Sequence, residues 1–69
     1  MTTLAVTVNG ETRRIPGPAS LLDLLAQLGL DPRTVVVEHN RVIVRRPRLG
    51  EVALADGDAV ELVHFVGGG

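Results

Sequence analysis

The sequence predicts an α+β domain, a mixed sheet of four to five strands with one main helix packed on one face. Three observations carry this. An alternating apolar stretch runs into Asn9-Gly10, a single leucine stripe follows a proline-rich break, and valine-rich segments fill the second half. A short helix with one apolar face is unstable alone and needs a sheet to lie against.

Leu4, Val6 and Val8 alternate with Ala5 and Thr7, the period of a half-buried strand. Asn9-Gly10 is the favoured pair for a type I′ hairpin turn, so residues 11–15 are expected to return as a second strand whose polar content marks a sheet edge. Pro16, Gly17 and Pro18 are expected to end that pairing. Ser20 can cap a helix in which Leu21, Leu24, Leu25 and Leu28 make one apolar stripe, and Asp23 suits the positive end of its dipole. Gly29 ends the helix, Leu30 fits the apolar contact of a Schellman close, and Asp31-Pro32 stops continuation.

Val35, Val36, Val37 and Glu38 predict a third strand, and Asn40-Arg41 turns the chain into Val42, Ile43 and Val44. Arg45, Arg46, Pro47 and Arg48 read as a loop, residues 52–54 as a short strand, Asp56-Gly57-Asp58 as a turn, and residues 59–66 as the final strand. A right-handed crossover then places the last strand beside the first, parallel to it and in the middle of the sheet. That is the β-grasp, or ubiquitin-like, architecture. One domain is expected over residues 1–66, followed by a flexible Gly-Gly-Gly tail at 67–69.

Composition narrows the chemistry. The chain has 69 residues and no cysteine, so disulfides, thiolate zinc sites and thiol nucleophiles are excluded. A net charge of −1 gives no general attraction to nucleic acid or to anionic membranes. No apolar run approaches membrane-spanning length and no basic leader opens the chain, so a cytoplasmic protein, monomeric when free, is expected.

The closing residues concentrate the functional signal. Val63, His64, Phe65 and Val66 pass directly into Gly67, Gly68 and Gly69. Glycines lack a Cβ, so such a tail can thread a channel too narrow for side chains and carry its carboxylate roughly 10 Å from the body. An ionised carboxylate is a poor electrophile until activated, for which an acyl-adenylate made with ATP is the usual device. A sulfur nucleophile could then displace AMP and leave a thiocarboxylate. The chain has no glycine-rich phosphate loop, so a partner must bind the ATP. The same glycines also fit a frayed end or an expression scar.

If Val60 and Leu62 face the helix, alternation sends Glu61, Val63 and Phe65 to the opposite face. Phe65 is then an exposed docking anchor, with Val66 beside it and Val36 on a neighbouring strand extending the patch. A one-residue slip would instead bury Phe65. Arg45, Arg46 and Arg48 read as a solvated loop, with an acidic partner surface as the alternative. His39 and His64 lack a companion at metal-ligand spacing and read as structural or surface residues. Asp56 and Asp58 read as turn residues. No catalytic residue and no metal site is assigned.

Taken together, Asn9-Gly10, Val37-Glu38-His39-Asn40, Val44 with Arg46, Leu54-Ala55-Asp56-Gly57-Asp58, and Glu61 with Phe65-Val66-Gly67-Gly68-Gly69 resemble the thiamine-biosynthesis sulfur carrier family (ThiS). The likeness covers nearly the whole chain. Arg45 departs from it where the family often has proline, and His39 stands where another basic or polar residue is common. The resemblance implies a carrier rather than an enzyme. An E1-like adenylyltransferase would adenylate the Gly69 carboxylate, and a cysteine desulfurase persulfide or another donor would supply sulfur. Thiazole synthase would then accept that sulfur from the thiocarboxylate. No stably bound cofactor is implied. Three alternatives remain open at this point: a sulfur carrier for molybdopterin synthesis, a ubiquitin-like protein modifier, and a binding module whose glycines are inert.

Overall fold

A computed structural model of the chain describes residues 2–65. Asn9 and Gly10 both take positive φ, 49° and 85°, as a type I′ turn requires. They connect β1 (Thr2–Val8) to β2 (Glu11–Gly17) as an antiparallel hairpin. The helix α1 (Leu21–Gln27) follows, then β3 (Val35–His39), β4 (Val42–Val44) and β5 (Ala59–His64). The sheet order is β2-β1-β5-β3-β4. β1 and β5 run parallel, and the other neighbouring pairs are antiparallel. This is the expected β-grasp, with the last strand next to the first at the centre.

Capping interactions define α1 at both ends. The Ser20 hydroxyl accepts from the Asp23 N–H at 3.1 Å, while the Asp23 carboxylate accepts from the Ser20 N–H at 2.9 Å, a complete capping box. At the other end Gly29 sits at φ 72°, and the Leu30 N–H reaches the Leu25 carbonyl at 2.9 Å while that of Gly29 reaches Ala26 at 3.1 Å. These are the two bonds of a Schellman motif. Leu21, Leu24 and Leu25 are essentially inaccessible to solvent and pack on Leu4, Val6, Val8, Val37, Val60 and Leu62 of the sheet.

Four expectations need correction. The β1–β2 pairing does not stop before Pro16 but continues to Gly17, because β2 is an edge strand and needs no outward N–H from proline. The segment after Val44 is not a plain loop. Arg46–Glu51 forms a 3-10 helix with a proline in its first turn, anchored by the buried Leu49. Residues 52–54 do not form a strand; Ala53 makes one isolated bridge with Ser20, flanked by bonds from the Leu21 N–H to the Val52 carbonyl (3.0 Å) and the Leu54 N–H to that of Ala19 (2.8 Å). Helix α1 begins at Leu21, so no ladder can extend there. Finally, β5 ends at His64 rather than reaching Phe65, since its partner β3 begins only at Val35, after a 3-10 turn at Pro32–Thr34.

Candidate functional site

Alternation along β5 sorts its side chains as expected. Val60 and Leu62 are buried under α1, whereas Val63 and Phe65 are 61% and 60% exposed. Val36 is half-buried and lies directly opposite Val63 in the β3–β5 register. Val36, Val63 and Phe65 therefore meet on the sheet face away from the helix. The Phe65 N–H donates to the Thr34 carbonyl at 2.9 Å, which fixes the backbone just past the end of β5. Val66, Gly67, Gly68 and Gly69, the other residues assigned to the tail and patch, lie outside the described residues.

Sequence reasoning missed Ile43. It is 63% exposed and pairs with Glu38, two residues along β3 from Val36, so it joins the same apolar face. Val42, Ile43 and Val44 are all apolar, and without alternation nothing in the sequence shows which face each takes; Val42, opposite His39, is as exposed as Ile43. Where β5, β3 and the residues after β4 converge, Phe65, Val36, Ile43 and Pro47 bound an open groove of about 570 Å³, which Arg33, Arg45 and Arg46 also line.

Charges on this face are arranged unevenly. Glu38 and Glu61 stand directly opposite one another on β3 and β5, and neither has an ion-pair partner among the described residues. Arg48 pairs with Glu51 at 2.9 Å and Arg33 with Asp31 at 2.8 Å. Hydrogen bonds from the Arg33 side chain and backbone hold the Asp31 carboxyl down at about 2.

The residues read as plain turn positions prove to be latches. The Asp56 carboxylate accepts from the Ala5 N–H at 2.7 Å, tying the turn to β1. Asp58 bonds His39 Nε2 at 2.7 Å and accepts from the Ala55 N–H at 2.9 Å and the Asn40 amide at 3.2 Å. Burial pushes the Asp58 carboxyl up, but the bonds with His39, Ala55 and Asn40 outweigh it and leave the group below the usual aspartate value. The His39–Asp58 contact looks like half of a catalytic triad. The other side chain at the same imidazole nitrogen is the Asn40 amide at 3.4 Å, neither hydroxyl nor thiol, so the cluster serves to hold the β3–β4 turn against the start of β5. Among the described residues, no three His, Cys, Asp or Glu side chains gather as a metal site. What the face offers is apolar area, localised charge and a backbone anchored at Phe65.

The ThiS family model matches residues 6–69, a span that takes in the three closing glycines. The chain belongs to the ThiS family. The sulfur carrier protein ThiS of Bacillus subtilis (strain 168) is 48% identical over 50 residues, covering 72% of this chain and 76% of that protein. A thiazole synthase from Paramagnetospirillum magneticum is 41% identical over 66 residues, or 96% of this chain; the chain spans 20% of the length of that relative. The crystal structure of the thiamine biosynthesis protein (ThiS) from Geobacter metallireducens superposes with a TM-score of 0.81 at 33% identity, covering 96% of this chain and 100% of that one. The β-grasp fold is thus shared along the whole ThiS neighbour, and no helix among the described residues is long and apolar enough to cross a membrane.

Proposed function

We propose that this ThiS-family chain is a sulfur carrier for thiazole formation in thiamine biosynthesis, and that its reactive group is the carboxylate of Gly69. An E1-like adenylyltransferase supplies the ATP site. The carboxylate attacks the α-phosphorus of ATP and releases pyrophosphate to give an acyl-adenylate. A persulfide from a cysteine desulfurase, or another sulfur donor, displaces AMP. Where a persulfide attacks, a second thiol cleaves the acyl disulfide, so that the donor leaves as a disulfide. The resulting thiocarboxylate is delivered to thiazole synthase. Gly67 and Gly68 form the lead that enters the partner, while Val36, Val63, Phe65 and Val66 bind the partner's surface. The carrier itself performs no catalysis and retains no cofactor, and the reading places it in the cytoplasm beside its partners.

One observation carries this reading: the family match continues through Gly67, Gly68 and Gly69 rather than stopping at the folded body. The exposed Val63 and Phe65 at the end of β5 support it, because apolar side chains beside a reactive tail suit a docking surface. The likeness to thiazole synthases favours thiazole over molybdopterin as the sulfur sink.

Deletion of the gene from its native cell tests the assignment. Growth should then require thiamine and be restored by it. Retained thiamine independence together with loss of molybdenum-enzyme activity would overturn the reading in favour of the other sink.

A further inference from the structure

From the groove beside Phe65 we infer that thiazole synthase, the acceptor in the proposed function on which this inference rests, inserts a segment carrying a bulky apolar side chain next to a carboxylate. The groove of about 570 Å³ has Val36, Ile43, Pro47 and Phe65 on its walls, so its interior rewards an apolar side chain. Three arginines also line it: Arg33, which is paired with Asp31, and Arg45 and Arg46, neither of which has an ion-pair partner among the described residues.

Position separates this pair from the other arginines. Arg13, Arg33 and Arg48 are each matched with an acid, Glu11, Asp31 and Glu51, while Arg14 and Arg41, unmatched like Arg45 and Arg46 among the described residues, do not line the groove. Asp31, the acid whose charge feels Arg46, is already bound by both the Nε and the guanidinium tip of Arg33. Two unmatched guanidiniums beside an apolar hollow call for a carboxylate that arrives with an apolar neighbour, because a planar fork pairs well with a carboxylate. A polyanion is a poor fit: the arginine cluster is local, Glu38 and Glu61 lie on the same sheet face, and the chain is net negative.

The position of the groove gives the contact a role. Phe65 forms one wall and is the residue from which the tail departs, so a segment seated there fixes the root of the tail relative to the synthase. The groove thereby sets where the tail enters as well as adding affinity.

The test compares the full chain with an Arg45→Glu/Arg46→Glu variant and with Arg14→Glu, a reversal on the far edge strand. Affinity for the cognate thiazole synthase is measured by calorimetry at low and high salt, and sulfur loading by the adenylyltransferase is followed separately by intact mass. The double reversal should weaken synthase binding about tenfold and flatten its salt dependence, with Arg14→Glu close to the parent. Should the reversal disturb folding, Arg45→Gln/Arg46→Gln gives the same reading with less perturbation. Ile43→Ser should weaken binding as well. Unchanged affinity in the double variants, or an equal loss in Arg14→Glu, overturns the inference. So does a parent protein in which inorganic phosphate alone occupies the arginines while synthase binding ignores them. A parent that takes up no sulfur at all would instead sink the carrier reading beneath it.

Discussion

The side chain of Asn9 brackets the backbone of Leu62: its Oδ1 accepts from the Leu62 N–H at 2.7 Å, and its Nδ2 donates to the Leu62 carbonyl at 3.1 Å. The turn residue of the first hairpin thus acts as one more rung for β5, extending a parallel pairing whose register covers only Thr7 with Ala59 and Val8 with Val60. It holds Leu62 in the core and, by alternation, Val63 outward. Asn9→Gly keeps the positive-φ turn while removing both bonds. It should cost about 1–3 kcal/mol in urea unfolding and speed hydrogen exchange at the Leu62 amide. Unchanged stability and exchange would show the bracket to be ornamental.

Glu38 and Glu61 face each other across β3 and β5 with no ion-pair partner for either among the described residues. Like charges in directly opposed positions destabilise a sheet by roughly 0.2–1 kcal/mol. Glu61→Gln should therefore leave stability unchanged or raise it by that amount at low salt, with the gain shrinking as salt is added. A clear loss of stability would mean that the carboxylates are matched in a way the fold does not reveal.

Acid should loosen the domain through two aspartates. Asp31 is held at about 2 by Arg33, and burial of Asp58 is outweighed by its bonds with His39, Ala55 and Asn40, leaving it below the ordinary value. In both cases the unfolded chain binds the proton more readily, so the contribution is complete above about pH 4 and is lost as pH falls through the native values. Asp31 is on the surface and its share is small; most of the acid sensitivity should vanish in Asp58→Asn. Carboxylate titration by NMR checks both, and Arg33→Gln should return Asp31 toward the usual aspartate range.

On the proposed function, Phe65 serves partner binding rather than the fold. It is 60% exposed and absent from the core, so Phe65→Ala should leave the unfolding midpoint nearly unchanged. Binding to the adenylyltransferase or to thiazole synthase should fall about 30-fold, the loss typical of an aromatic anchor. A marked loss of stability with partner affinity intact would reverse the assignment.

Local chemistry made the fold largely legible in the sequence. Asn9-Gly10, the Ser20 cap, the Leu21, Leu24, Leu25 and Leu28 stripe and Gly29 each specify a conformation by short-range rules, and each is found in its expected element. What escaped depends on contacts across the chain. Leu49 looks like part of a polar loop until the 3-10 turn carries it inward, and Ile43 could not be oriented within an all-valine-and-isoleucine strand. His39 and Asp58 are 19 residues apart, and Asn9 and Leu62 are 53 apart. No periodicity within one element reports such pairs. The outward Val63 was legible because β5 alternates from Ala59 to Val63, with Val60 and Leu62 inward, and Phe65, just past its end, is exposed as well.

The mass of the chain after incubation with an E1-like adenylyltransferase, ATP and a sulfur donor decides whether Gly69 carries sulfur. One oxygen of the Gly69 carboxyl group should be replaced by sulfur, and a chain lacking Gly69 should fold normally but gain none. An unaltered carboxylate in the parent, or equal loading of the shortened chain, would contradict the proposed function.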